Sequence, residues 1–263
     1  MSSVHLIQFT DPHLFGEETG TLRGIATYPA LLATIAHAHA HAGPYDALLL
    51  TGDLVHDDPR GYANVRRAFG GIGKPVLCLP GNHDEPEAMR RELSREPFVL
   101  GGVVDLGAWR IVLLDSTVPG SAFGRLGSRC LDELETALAG AHGRHVLVCL
   151  HHHPVPMSSR WLDQVGLSNP EALFGVLDAH RCVRAVLWGH VHQRFDALRR
   201  GVRLLATPST CAQFLPRSED FAVDQLPPAY RTLELRPDGT LLTDVVWVQA
   251  CAAGSARSAC SAA

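Results

Sequence analysis

Six short apolar runs set the frame for this chain: VHLIQF (4–9), DALLL (46–50), PVLCL (75–79), RIVLLD (110–115), HVLVCL (145–150) and RAVLW (184–188). Each is too short for a helix and lacks strict alternation, which is the pattern of a strand buried on both faces. Between them lie segments with helical spacing, near 27–42, 59–69, 86–95, 128–140 and 171–180, the third opened by Pro86. Short apolar runs alternating with helices define an α/β fold with central strands.

The last third changes character. RFDALRRGVRLLATPS (194–209) and YRTLELRPDGTLLTDVVWVQA (230–250) read as antiparallel hairpins, the second turned by Pro237-Asp238-Gly239. There is no internal repeat and no linker before residue 250, so residues 1–250 are expected to form a single domain. The segment CAAGSARSACSAA (251–263) is small and polar and is expected to be disordered.

Bulk properties narrow the classes. The formal net charge of -4 argues against a nucleic-acid partner held by a basic surface. No apolar stretch reaches the roughly 18 residues of a membrane span. The N-terminus has no basic region, and its apolar run is too short for a signal peptide. The 7 cysteines are scattered without a CxxC pair, as expected of a reduced, cytoplasmic protein.

Five of the runs break off into metal-ligating residue types: Thr10-Asp11-Pro12-His13, Thr51-Gly52-Asp53, Gly81-Asn82-His83-Asp84, His151-His152-His153 and Gly189-His190-Val191-His192. In α/β sheets the carboxyl edge of the strands is where ligand sites assemble. Neutral imidazole and carboxylate suit iron, manganese, zinc and cobalt. Asp11, His13, Asp53, Asn82, His151, His190 and His192 are too many donors for one tetrahedral ion. They suit two ions if one carboxylate bridges them, at a spacing of about 3.5–4 Å. His83 is left over and free for acid–base work.

Each motif alone has an ordinary structural explanation. Asp11 suits a loop or cap, Asp53 a turn, and alternating histidines in a strand would face opposite sides. Their order, each at a strand end, is what carries the reading. Other histidines stand apart. His37, His39 and His41 read as a solvated helix face, His37 and His41 sharing a side. His56 falls close to the Gly-Asp motif. His152 and His153 adjoin a candidate ligand, either supporting it or in solvent.

The ordered set D-x-H, G-D, G-N-H-D, H, G-H-x-H resembles the calcineurin-like metallophosphoesterase superfamily. LHHHPVP, WLDQVGLSNP, LLATPSTCAQF and YRTLELRPDGTL are similar to stretches of the class III cyclic-nucleotide phosphodiesterases of bacteria, which act on 3′,5′-cyclic AMP. The resemblance implies a four-layer α/β/β/α sandwich with two central mixed sheets. It implies that Asp11, His13 and His192 hold one metal, that Asn82, His151 and His190 hold a second, and that Asp53 bridges them, the ions being iron or manganese.

It further implies hydrolysis of 3′,5′-cyclic AMP to 5′-AMP, with a bridging water deprotonated by two cations and attacking phosphorus in line with the departing 3′ oxygen. His83 would stabilise the transition state or protonate that oxygen, with Asp84 orienting His83 or capping the next helix. Asn82 and His83 would touch the phosphate, and Asp53, His13 and His192 would line it. Thr207 and Ser209 read as a structural turn beside the site. Arg66, Arg67, Arg90 and Phe123 are unranked candidates for the base. The rival readings are a phosphodiesterase for a 2′,3′-cyclic nucleotide or a glycerophosphodiester, and a non-catalytic metal-binding regulator. Oligomeric state is left open.

Overall fold

The computed structural model describes residues 2–249; the tail expected over 251–263 lies outside them. The apolar runs form strands within a residue or two of their expected limits, in two six-stranded sheets. One sheet runs Leu241–Trp247, Ala229–Leu235, Val4–Phe9, Ala47–Thr51, Val76–Leu79, Phe98–Leu100. Its last four strands are parallel and the C-terminal hairpin adds antiparallel. The other runs Phe195–Arg199, Val202–Ala206, Val183–Trp188, His145–Cys149, Trp109–Leu113, Gly102–Leu106. Its four central strands are parallel and both edges antiparallel.

Side chains within each strand sort by parity, as the pleat requires. In Val4–Phe9, Val4 and Leu6 enter one apolar layer and Ile7 and Phe9 another. In His145–Cys149, Leu147 and Cys149 join Leu6, Leu49 and Leu77 between the sheets, while Val146 and Val148 face helices. Helices Thr27–His41, Tyr62–Phe69 and Pro86–Glu92 cover the outer face of the first sheet. Ser128–Ala139 and Pro170–Asp178 cover the second. The result is four layers, α/β/β/α, with three apolar seams. A fully buried leucine contributes roughly 1.5–3 kcal/mol, so these seams, not the polar edge, hold the sheets together.

Two strands of these large sheets escaped the sequence reading, as did two short two-stranded ribbons, Thr21–Leu22 with Ile25–Ala26 and Gln213–Phe214 with Val223–Asp224. Phe98–Leu100 and Gly102–Leu106 are edge strands whose Val99 and Val103 are exposed, so neither shows a buried apolar run. The helix expected to 95 ends at Glu92, where Leu93 leaves helical geometry. Both C-terminal hairpins form, with Gly239 at φ 87° in the second turn.

Candidate metal centre

The parallel strands of the two sheets release their polar residues on one shared edge. Hydrogen bonds tie it together: within the first sheet Gln8 Nε2 donates to Thr51 Oγ1 at 2.8 Å and Thr51 Oγ1 to Thr10 Oγ1 at 2.7 Å, and from the end of the second sheet Ser209 Oγ donates to the Asp11 carbonyl at 2.7 Å. Thr207 and Ser209 are fully buried, Thr207 Oγ1 donating to Gln8 Oε1 and Ser209 Oγ to the Asp11 carbonyl.

The chain bends sharply as it leaves the sheets. Asp11, His13, Asp53, His190 and His192 have φ of 52, 48, 50, 65 and 48°. This left-handed conformation costs a residue with a side chain roughly 1–3 kcal/mol and concentrates where function over-determines the backbone. It also removes the objection to Gly189-His190-Val191-His192. The segment is not a strand, so His190 and His192 both turn inward. Two motif glycines are needed because nothing larger fits: a Cβ on Gly81 would strike Asp53 Oδ1, and one on Gly189 would strike Thr10 Oγ1 and Asp11 Oδ2.

Three groups of donors result; His13, His56 and His83 form one, and the other two hold the expected ligands. Asp11, His13 and His192 gather in one, with His13 Nε2 3.2 Å from His192 Nε2 and Asp11 Oδ1 3.4 Å from the latter. Asp53, His151 and His190 gather in the other, where His151 Nε2 lies 3.2 Å from both His190 Nδ1 and Asn82 Oδ1. Asp53 Oδ2 reaches both groups, at 3.7 Å from His13 Nε2 and 3.4 Å from His151 Nε2. All seven candidate ligands of the sequence reading therefore converge.

The donor chemistry fits cations. His192 Nδ1 donates to the Ala212 carbonyl at 2.6 Å and His151 Nδ1 to the Thr51 carbonyl at 2.8 Å. Those bonds assign the proton to Nδ1 and leave each Nε2 a bare acceptor, the arrangement that orients histidine toward a metal. Bare nitrogens facing other nitrogens and carboxylate oxygens at such distances repel unless positive charge lies between them.

The titration tendencies agree. Burial opposes charge on Asp53, yet His151 and His13 hold its carboxyl well below the usual range. Burial opposes a proton on His151, but Asp53 and Asp11 raise its pKa to about 9. The pocket attracts a proton or a cation in its place. His13 and His190 are lowered, chiefly by burial, and so present neutral imidazoles to a metal.

Of the five residues expected at substrate, Asn82 and His83 are partly open, whereas His13, Asp53 and His192 are only 3, 2 and 2% exposed, their donor atoms spent inward. His83 Nδ1 lies 3.0 Å from Asp57 Oδ2. Asp84 does not fill the orienting role expected of it, nor does it cap the next helix. Its carboxylate accepts from the N–H groups of Gly81, Leu54 and Val55 at 2.9, 3.1 and 3.3 Å and from Tyr62 Oη at 2.9 Å, and Glu85 occupies the cap position. Asp84 staples the loop; Asp57 orients the imidazole. Asp57 lay unremarked four residues beyond Asp53, where the spacing was the one available signal.

His56 does reach the centre, its Nδ1 3.1 Å from His13 Nδ1. His152 and His153 are buried rather than solvated and pack on His190 at ring distances of 4.8 and 5.5 Å. His37 and His41 stack at 4.2 Å on the surface of their helix. Phe214 stacks flat on His192 at 4.0 Å and packs edgewise on Phe221, over which Arg23 lies, an aromatic rim that the sequence reading did not single out. Arg66 and Arg67 instead pair with Glu92 and Glu18 around a separate hollow. Arg90 lines a cavity beyond Pro86, and Phe123 is exposed.

This fold and this edge define a metallophosphoesterase. The calcineurin-like phosphoesterase family model matches residues 4–194, and the chain belongs to that family. Among curated relatives, it is 43% identical over 245 residues to the 3′,5′-cyclic adenosine monophosphate phosphodiesterase CpdA of Pseudomonas aeruginosa, covering 93% of this chain and 90% of the relative. It is 41% identical over 244 residues to the protein of that name from Escherichia coli K12, covering 92% and 89%. Among solved structures, a dimetal phosphatase from Danio rerio superposes with a TM-score of 0.67 at 14% identity, over 95% of this chain and 100% of that one, a likeness of fold.

Proposed function

We propose that this chain is a metal-dependent phosphodiesterase that hydrolyses 3′,5′-cyclic AMP to 5′-AMP, and that it acts in the cytoplasm with residues 1–250 as its catalytic domain. The observation that carries the chemistry is the pair of donor groups sharing Asp53 Oδ2. The substrate follows from relatives near 40% identity named for that reaction over almost their whole length.

Asp11, His13 and His192 would hold one divalent ion and Asn82, His151 and His190 a second, with Asp53 between; iron or manganese suits these nitrogen and oxygen donors. When bound, such ions supply Lewis acidity, lowering the pKa of water and offsetting phosphoryl charge. The protein does the rest. The carbonyls of Thr51 and Ala212 hold His151 and His192 in the ligating tautomer. Asn82 and His83, the open side chains, receive the phosphate. Water adds its oxygen to phosphorus and releases a proton to solvent, the P–O3′ bond breaks, and His83 would deliver a proton to O3′, with Asp57 fixing its ring.

A 2′,3′-cyclic nucleotide or glycerophosphodiester substrate is not favoured, because the named relatives act on the 3′,5′ ring. A non-catalytic role is not favoured, because every donor position is filled. The test is hydrolysis by protein loaded with iron or manganese of 3′,5′-cyclic AMP beside 2′,3′-cyclic AMP, 3′,5′-cyclic GMP and glycerophosphocholine. The expected result is metal-dependent 5′-AMP, preference for the 3′,5′ ring, and loss in Asn82→Ala. Preference for another diester would overturn the substrate; no turnover with two ions bound would overturn the enzyme.

A further inference from the structure

A cavity of about 390 Å³ opens directly off Asn82 and His83. Its far wall is the turn Val118–Gly120, closed by the Ser121 N–H bonding the Val118 carbonyl at 3.0 Å. We propose that this cavity, not the aromatic rim beside His192, takes the nucleoside part of the substrate, and that Val118 sets its fit. The inference rests on the cyclic-nucleotide reading above and adds to it the residues that select the organic group.

Three observations support it. The first is position. In a cyclic diester the leaving O3′ belongs to the ribose, so the sugar must lie on the side from which that oxygen is protonated. His83 is the candidate donor, and the cavity adjoins its ring. The second is size: the volume falls in the range of about 300–1,000 Å³ typical of small-molecule sites. The third is chemistry. Pro59, Val118 and Pro119 give rigid apolar walls suited to the flat face of a ring, while Asp57 and Glu85 offer acceptors for hydroxyl and amino groups. Among the described residues no lysine or arginine lines it. A neutral organic group bearing hydrogen-bond donors is accepted, and a second anionic group meets two carboxylates.

At the rim beside His192 the aromatic faces are already engaged. Phe214 already stacks on His192, and Arg23 covers Phe221.

Val118 is partly exposed on a surface turn, so its replacement spares the core. The experiment compares wild type with Val118→Trp, which fills the cavity. It measures kcat/KM for 3′,5′-cyclic AMP and for methyl 4-nitrophenyl phosphate, and inhibition by 5′-AMP and by inorganic phosphate. The expected result is a fall of about tenfold or more in the ratio of cyclic AMP to small-diester kcat/KM, with a similar rise in the ratio of 5′-AMP to phosphate inhibition constants. Equal loss on both substrates, or no change in either ratio, overturns the assignment. Should Val118→Trp not fold, Val118→Ala loosens the same wall and should raise KM for cyclic AMP about two- to threefold with phosphate inhibition fixed; an unchanged KM overturns the proposal. Wild-type protein inactive on cyclic AMP but active on other diesters would overturn the proposed function instead, so the two failures are distinguishable.

Discussion

Asp53 binds the backbone N–H of His83 through Oδ1 at 2.9 Å while its Oδ2 faces both His13 and His151. One carboxylate therefore sets the position of the candidate acid and joins the two donor groups.

Asp53→Asn tests that double role. The amide oxygen can still accept from His83, but the charge is gone and an N–H₂ group faces two imidazoles. The expected outcome is loss of at least one of two bound ions per chain by elemental analysis, and activity lower by about 10²-fold or more. Retained metal and activity would contradict the bridging assignment.

Asp57→Asn tests the contact to His83. Asp57 touches no donor of the two groups that Asp53 joins, so metal content and thermal midpoint should match wild type. kcat should drop by about 10- to 100-fold, part of what a positioned acid contributes, with KM less affected. A change confined to KM would assign Asp57 to binding alone.

Asp84→Ala leaves three buried backbone N–H groups without their acceptor, at a cost of about 2–4 kcal/mol in denaturant unfolding. Tyr62→Phe removes one of the four bonds and should cost about 1 kcal/mol. If Asp84→Ala proved neutral in stability yet abolished kcat, the stapling role would be wrong.

Acid should destabilise the metal-free protein in a defined window. Burial, and then His151, lower the pKa of His153 from 6.5 to about 4. Between those values the folded protein binds fewer protons than the unfolded chain. The stability this supports is present above pH 6.5 and is lost as pH falls toward 4, about 3 kcal/mol for this ring alone. Urea midpoints at pH 7.5, 5.5 and 4.5 measure the slope, and His153→Gln should flatten it. An equal slope in the variant would assign the acid sensitivity elsewhere.

Much of this architecture was legible before any coordinates. A strand buried on both faces must be apolar at every position, so Leu48 to Leu50 and Val146 to Cys149 announced themselves. Because ligand-bearing loops start where such strands stop, Asp11, Asp53, Asn82, His151 and His190 could be read as a set. Edge strands carry no such mark, and Gly102–Leu106 was missed for that reason.

What the tertiary structure alone decided was partnership. Asp57 and Asp84 are both close to His83 in the chain or in space, and only the path of the loop gives the ring to Asp57 and the backbone N–H groups to Asp84. The burial of His152 and His153 behind His190, and the inward turn of both His190 and His192, follow from left-handed backbone and packing across more than one sheet. Local composition sets which residues leave a strand, because burial acts residue by residue. Which of them meet depends on strand order and on contacts between residues as far apart as His13 and His192, and no local pattern encodes that.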